Sequence, residues 1–227
     1  MPPQPRSGPL MSGGRLREPI RFLVFSASLR RDSLNTKLAD LAATAVEASG
    51  GDVTVARMRD FDCPSYDLDV QNEEGFPPGA EEVRRQLEAC HGFVVASPEY
   101  NASMPGVLKN SIDWVSRLSP QPLNERAGLL MSASPSMSGG NRGLWALRMP
   151  LEHLGARLYP DMFSLAQAHM AFDSEGRIAD PQLQQRFDAN IVNFVDQVEA
   201  SVHYPCVKRA WVEYLGERPD PAIDRVE

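Results

Sequence analysis

Short apolar runs alternate along this chain with longer segments of helical periodicity. The first apolar run covers residues 20–26 (IRFLVFS), and polar turn residues follow it at once. From Ser33 onward the apolar residues recur on one helical face, until Gly50 and Gly51 provide a typical helix end. These two segments form one βα unit, and the same order returns along the rest of the chain.

Four further units are predicted after the first. Their strands are residues 52–58, 92–97, 127–132 and 157–163, and their helices cover about residues 80–90, 105–118, 141–154 and a final segment. A long loop is expected between the second strand and its helix. Strands separated by helices pair in parallel through right-handed crossovers. The sequence therefore predicts an α/β fold, a doubly wound five-stranded parallel sheet with helices on both faces.

Composition narrows the class of protein. The net charge of −7 argues against a nucleic-acid-binding protein, because binding to phosphates needs a basic face that would show in the composition. The three cysteines, Cys63, Cys90 and Cys206, are far apart and form no CxxC pair, so neither a disulfide framework nor a zinc site is predicted, and a reducing cytoplasm is expected. No apolar run approaches the roughly 18 residues that cross a membrane. We expect one domain over residues 20–200, a disordered tail over residues 1–19 and a C-terminal extension over residues 201–227.

The loops after the first, third and fourth strands form the candidate site. In a doubly wound sheet, ligands bind at the carboxyl ends of the strands, where the strand order reverses. These three loops converge there and carry the most distinctive residues of the chain.

The first loop, SASLRRDSLN, carries hydroxyl, guanidinium and amide groups at the start of a helix. The groups belong to Ser26, Ser28, Arg30, Arg31, Ser33 and Asn35. A helix N-terminus favours an anion, and arginine adds charge-assisted hydrogen bonds. Capping of the helix by Ser33 would explain only one of these hydroxyls. Because the GxxxxGK[ST] pattern is absent, the loop is predicted to hold a phosphate rather than to transfer one.

The second loop begins SPEYNASMPG. Pro98 stiffens its start and Pro105 suits a first helical turn, so the backbone between them is held in a defined curve. The N–H groups of residues 99–101 could recognise the edge of a planar heterocycle, with Tyr100 or Met104 packed nearby. A simple turn followed by a helix cap is the open alternative.

The third loop, SASPSMSGGNRG, is rich in hydroxyl groups, and its glycines permit close backbone approach. Its position at the same end of the sheet makes it the third wall of the site. Arg142 is either an anion contact or a solvated residue.

In these loops the sequence resembles the NADPH-dependent FMN reductase family of the flavodoxin-like superfamily, which includes chromate, quinone and azo-dye reductases. The resemblance covers residues 20–198, and its most specific motifs are SASLRRDSLN, SPEYNASMPGVLKNSIDW and SASPSMSGGNRG. It implies a flavodoxin-like fold, FMN as the cofactor and NADPH, or else NADH, as the reductant. Ala27 and Ser136 stand where the family often has glycine.

The resemblance also assigns roles to individual residues. It implies an FMN phosphate cradle made of Ser26, Ser28, Arg30, Ser33 and Asn35. It implies isoalloxazine contacts at Pro98, Glu99, Tyr100, Asn101 and Ser103. It implies that the loop beside the flavin and the nicotinamide contains Ser134, Ser136, Gly139 and Gly140.

No catalytic side chain and no metal site are predicted, since the flavin itself carries the chemistry. The GxSxG and HExxH motifs are absent. The four histidines are not spaced like metal ligands, so each is expected to have a structural role; they are His91, His153, His169 and His203. The three tryptophans, Trp114, Trp145 and Trp211, fall in predicted helices and not in the three loops. Because no indole is placed to cover the flavin, one flavin face is expected to be open to substrates.

The function implied by the resemblance is transfer of electrons from NADPH through FMN to a small acceptor, such as free flavin, a quinone, an azo compound or a metal oxyanion. Two alternatives stay open. One is a flavodoxin-type electron carrier, which would cover its flavin with aromatic residues, and the other is a flavin-binding regulatory protein without turnover. The resemblance also implies a homodimer, with a tetramer as a second option, and places the helix over residues 105–118, which includes Asp113 and Trp114, near the interface. Lys109 and Asp113 are expected to form a surface or interface pair.

Overall fold

The computed structural model describes residues 18–203. Almost all of the predicted N-terminal tail and most of the predicted C-terminal extension, with Cys206 and Trp211, lie outside the described residues. The last helix runs to His203 and so passes the limit predicted at residue 200.

The described chain contains six strands and six α-helices. The strands are β1 (Arg21–Ser26), β2 (Asp52–Arg57), β3 (Gly92–Ala96), β4 (Ala127–Ala133), β5 (Arg157–Leu158) and β6 (Phe163–Leu165). The helices are α1 (Leu34–Ala48), α2 (Leu68–Glu74), α3 (Pro78–Ala89), α4 (Gly106–Val115), α5 (Asn141–His153) and α6 (Pro181–His203). A short 3₁₀ helix, Met58–Phe61, follows β2.

All strands pair in parallel in the order β2-β1-β3-β4-β5, with β6 pairing farther along β4. The strand order reverses between β1 and β3, which confirms the predicted doubly wound sheet. Ser26, Ala96 and Met131 lie side by side in this register. The loops after β1, β3 and β4 therefore leave the sheet at nearly the same level.

The sheet is buried on both faces. Phe22 and Val24 of β1 belong to a core cluster shared with α1 and α6, whereas Leu23 and Phe25 belong to a second cluster shared with α3, α4 and α5. Successive side chains of a strand point to opposite faces, so a strand covered on both sides needs an uninterrupted apolar run. This double burial explains why the central strands were predicted within one or two residues.

The fifth predicted strand, residues 157–163, was wrong as a single element. β5 pairs with the start of β4 and β6 pairs with its end, and Pro160 lies between the two short strands. Proline has no N–H to donate to a ladder, so the pairing breaks there. As a result, β6 ends beside Ala133 and reaches the third loop.

The long loop predicted after the second strand contains the 3₁₀ helix and α2, and α4 clamps it. Asn110 donates from Nδ2 to the carbonyls of Cys63 (3.2 Å) and Pro64 (2.9 Å), and its Oδ1 accepts from the N–H of Tyr66 (2.8 Å). Trp114 also donates to the Pro64 carbonyl, at 2.8 Å, and is fully buried. Trp114 is therefore an interior residue of the single chain, and the prediction that its helix lies near a subunit interface stays a prediction.

Candidate functional site

The three predicted loops start side by side at the carboxyl ends of β1, β3 and β4. Pairing continues one residue beyond the strands, because the N–H of Ala27 donates to Ala96 at 2.9 Å and the N–H of Ser97 donates to Met131 at 2.8 Å. These main-chain bonds fix the start of the first loop to β3 and the start of the second loop to β4.

The first loop presents main-chain N–H groups without acceptors. Three N–H groups of this loop donate to the hydroxyl of the serine two residues before them. They are the N–H groups of Ser28 (3.3 Å, to Ser26), Arg30 (3.3 Å, to Ser28) and Asn35 (3.2 Å, to Ser33). The N–H groups of residues 29, 31, 32 and 34 find no acceptor within residues 18–203. Because α1 begins at Leu34, its positive dipole end adds to this row, which is suited to a phosphate.

Two arginine side chains of the first loop, Arg30 and Arg31, are exposed, as an anion-binding role requires. A third arginine steadies the loop from outside: Arg59, in the 3₁₀ helix, donates from Nη2 to the carbonyl of Leu29 at 3.1 Å. Sequence reasoning missed Arg59, since nothing in its surroundings indicates a partner 30 residues away.

Asn35 lies in the first turn of α1, but its side chain points to β4. Nδ2 donates to the carbonyl of Ala133 at 2.9 Å, and Oδ1 accepts from the N–H of the same residue at 2.9 Å. Asn35 is only 3% exposed. The amide therefore joins the first loop to the start of the third, across the intervening strand β3.

The second loop closes in a tight turn. The N–H of Tyr100 donates to Ser103 at 2.9 Å, the N–H of Ser103 donates back at 3.0 Å, and Asn101 and Ala102 between them have φ of 52° and 60°. Positive φ at both central residues is typical of a type I′ turn. Of the N–H groups predicted to read a heterocycle edge, that of Tyr100 is thus used internally, while those of Glu99 and Asn101 have no acceptor within the described chain.

Glu99 ties the second loop to the start of α5. Its carboxylate accepts from Nε of Arg142 at 2.8 Å and from the N–H of Gly143 at 3.2 Å. The Glu99 side chain is 7% exposed and that of Arg142 is 66% exposed. Arg142 is therefore an exposed cation that is paired with Glu99. Glu99 also supplies an acceptor for α5, whose own N-cap residue, Gly140, has no side chain to do so.

The third loop needs its two glycines. Gly139 and Gly140 have φ of 62° and 85°, a region that residues with a Cβ avoid. A Cβ on Gly140 would lie 2.0 Å from Oγ of Ser132, and one on Gly139 would lie 2.9 Å from the main-chain nitrogen of Ala166. The loop is therefore packed directly against β4 and the chain that follows β6.

The segment after β6 is joined to the third loop by main-chain hydrogen bonds. The N–H of Ser134 donates to Leu165 at 3.1 Å, and the N–H groups of Gln167 and Ala168 donate to the carbonyls of Ser136 (3.2 Å) and Ser134 (2.9 Å). The hydroxyls of Ser134, Ser136 and Ser138 form a chain with 3.0 Å spacings. Ser136, like Ala27, does not have positive φ, so neither departure from the family's glycine strains the backbone.

The two cysteines in the described part of the chain, Cys63 and Cys90, offer no activated nucleophile. Burial, together with the nearby Asp62 carboxylate, raises the pKa of the Cys63 thiol to about 11. Burial also raises the pKa of Cys90 to about 11. Both thiols are protonated at neutral pH, so neither offers a thiolate. Within residues 18–203, no three histidine, cysteine, aspartate or glutamate side chains are grouped to hold a metal ion.

His91 has a structural role in the described chain. It lies at the amino end of β3, opposite the three loops, and its Nδ1 accepts from the N–H of Arg21 at 3.0 Å. Burial, followed by the charges of Arg21 and Arg126, lowers its pKa. A neutral histidine in this position serves to join β1 to β3.

A parallel sheet in this order, with three loops gathered where the strand order reverses, defines a flavodoxin-like α/β fold. The flavoenzyme NAD(P)H:(acceptor) oxidoreductase FerB from Paracoccus denitrificans has a similar structure, with a TM-score of 0.69 and 26% identity over 79% of this chain and 97% of that chain.

The chain belongs to the NADPH-dependent FMN reductase family, whose model matches residues 20–170. It is 35% identical over 178 residues to a probable NADPH:quinone oxidoreductase of Oryza sativa subsp. japonica, covering 77% of this chain and 87% of the relative. It is 38% identical over 141 residues to a quinone reductase of Escherichia coli K12, covering 62% and 74%. The protein is therefore an oxidoreductase with a flavodoxin-like fold.

Proposed function

We propose that this chain binds FMN in the three loops and transfers electrons from a reduced nicotinamide to a small acceptor, with a quinone as the first candidate. The proposal rests on the row of N–H groups without acceptors at residues 29, 31, 32 and 34. Main-chain donors at a helix N-terminus remain unpaired in a folded protein when they serve an anion or water. Relatives named as quinone reductases support the choice of acceptor.

The residues present fit FMN. The phosphate would be held by the first loop, through its N–H groups, the hydroxyls of Ser26, Ser28 and Ser33, and Arg30. The isoalloxazine edge would meet the second loop at Pro98, Glu99, Tyr100, Asn101 and Ser103, and the third loop, with Ser134, Ser136, Gly139 and Gly140, would form the wall beside it. When bound, FMN supplies the hydride and electron chemistry, and the chain's part is to bind and orient it.

The three loops favour an enzyme over an electron carrier. Tyr100 is the only aromatic residue in the sequence of these loops. A carrier that shields its flavin would need aromatic residues on the ring. One face is therefore proposed to stay open, and the nicotinamide and the acceptor must use it in turn.

The purified protein is expected to be yellow or to take up FMN, and to oxidise NADPH steadily when a quinone is added. Because donor and acceptor share one face, initial-rate plots at several fixed quinone concentrations should give parallel lines. Visible absorption measures the bound flavin, and the decay at 340 nm measures turnover. NADPH is proposed as the preferred donor, and NADH at equal concentration is the comparison.

Three other outcomes would each contradict a different part of the proposed function. A folded protein that shows no FMN uptake in a titration would refute the proposed function. FMN binding without nicotinamide oxidation would favour the electron carrier or the regulatory protein. Intersecting rate lines would refute the shared face and leave FMN binding intact.

We further propose a homodimer, formed through the outer face of α5 together with α4. Trp145 and Met149 lie one turn apart on α5 and are 60% and 74% exposed, and Val107 on α4 is 38% exposed. Large apolar side chains that are exposed on a helix surface favour a protein interface. A dimer that pairs again through another surface would give a tetramer.

A Trp145→Asp variant is expected to sediment as a monomer where the wild type sediments as a dimer, because a charge would be buried at the centre of the contact. Val55→Asp is the matched control, since Val55 is 45% exposed on β2, at the opposite edge of the sheet. A monomeric wild type, or a dimer unchanged by Trp145→Asp, would show that this face is not the interface.

No helix within residues 18–203 is long and apolar enough to cross a bilayer. A cytoplasmic location remains a proposal, supported by the free thiols of Cys63 and Cys90.

A further inference from the structure

We propose that Asn35 is a positioning residue, which locks the third loop to the phosphate-binding loop, and not a ligand of the phosphate itself. The inference rests on the proposed function, because it concerns how the FMN site is assembled. It starts from the two bonds between the Asn35 amide and the main chain of Ala133, each 2.9 Å long.

These two bonds are reciprocal. The Asn35 amide donates to the Ala133 carbonyl and accepts from the Ala133 N–H, in the way that a neighbouring strand would. Both polar atoms of the side chain are thereby used, and the residue is 3% exposed. Oδ1, as an amide oxygen, cannot donate to a phosphate. One of the two N–H groups of Nδ2 is used by the Ala133 carbonyl, and burial of the side chain against β4 keeps the other from solvent.

The position of Ala133 makes the bonds important for the site. Ala133 is the last residue of β4, and the third loop begins at the next residue, Ser134. Asn35 is two residues after Ser33, whose hydroxyl caps α1. The amide therefore connects the last fixed residue before the third loop to the first turn of the helix that faces the phosphate.

Loss of the amide would leave two buried main-chain groups of Ala133 without partners. Such groups are costly, so the chain near Ala133 would move toward water or toward new partners. That movement displaces the start of the third loop, whose glycines pack against Ser132 and Ala166 with no spare room. The isoalloxazine part of the site would then be damaged along with the phosphate part.

The deciding measurement is the affinity of an Asn35→Leu variant for FMN and for riboflavin, which lacks the phosphate. A positioning role predicts that both affinities fall, each by about tenfold or more, since one unpaired buried group is enough for such a change. A direct phosphate ligand predicts a loss for FMN and an unchanged affinity for riboflavin. Asn35→Ala serves the same purpose if the leucine variant does not fold.

Asn110→Leu is the matched control. Asn110 also clamps a loop through its amide, with bonds to Cys63, Pro64 and Tyr66, but none of these residues belongs to the three loops. It should lower the melting temperature without changing either flavin affinity, so a general loss of stability is separated from a displaced loop.

Hydrogen exchange on the flavin-free protein tests the clamp without any cofactor. The Ala133 amide should exchange faster in Asn35→Leu than in the wild type, and the faster exchange should extend into residues 134–140. Unchanged exchange there, or a loss confined to FMN, would overturn the positioning role. If the wild type itself binds no flavin, the proposed function fails, while the exchange result still decides whether the clamp exists.

Discussion

Replacing Arg30 with alanine is expected to weaken FMN binding by roughly ten- to a hundredfold, because a hydrogen bond to a charged group contributes about 1.5 to 3 kcal/mol. Arg30 is exposed beside the row of N–H groups at the start of α1, and its guanidinium can offer two parallel donors to a phosphate. Quenching of flavin fluorescence measures the affinity, and circular dichroism verifies that the variant is folded.

Riboflavin is the ligand control for this result. Its affinity should be lower than that of FMN in the wild type and should change little in Arg30→Ala, since it has no phosphate to lose. Arg31→Ala is the matched variant, because Arg31 is the exposed neighbour of the same charge. Equal losses for FMN and riboflavin in Arg30→Ala would show that the phosphate site has been assigned to the wrong loop.

Replacing Gly140 with alanine is expected to lower the free energy of unfolding by about 2 to 4 kcal/mol, from a steric overlap and an unfavourable backbone conformation together. The new Cβ would lie 2.0 Å from Oγ of Ser132, in a backbone with φ of 85°. FMN affinity should fall as well, because the third loop can make room only by moving away from β4. Urea unfolding and the flavin titration measure the two effects.

Gly50→Ala is the control that separates the cost of the backbone conformation from the cost of the steric overlap. Gly50 has φ of 91°, yet a Cβ there would meet nothing within 4 Å, so this variant carries only the conformational cost, about 1 to 2 kcal/mol. The extra loss in Gly140→Ala is then the steric part. Equal losses in the two variants, with FMN affinity unchanged, would show that the third loop adapts freely and does not depend on contact with Ser132.

The sheet could be predicted from the sequence because its signals are local. β1, β3 and β4 are buried on both faces, and such strands appear as unbroken apolar runs between polar turns. α2 was missed for the opposite reason: it has seven residues and none of them is buried, so no apolar periodicity marks it. Its N-cap, Asp67, is the one local signal that was present.

The positions of the three loops were predictable, but the bonds between them were not. Loop order follows from topology alone, since parallel strands bring their carboxyl ends together. The Asn35 amide, however, contacts a residue 98 positions away, and the Glu99 carboxylate contacts one 44 positions away. No pattern of spacing or composition reveals such partners. Asn35 was consequently given a role toward a ligand, and the ion pair between Arg142 and Glu99 was not predicted.

The bond between Asn35 and Ala133 has a consequence for comparing sequences. It engages only main-chain atoms of Ala133, and every amino acid except proline offers the same N–H and C=O there. The small side chain at position 133 is set by its burial in the core, not by its asparagine partner. Paired substitutions at the two positions are therefore not expected among related proteins, and a method that infers contacts from correlated changes would miss this one.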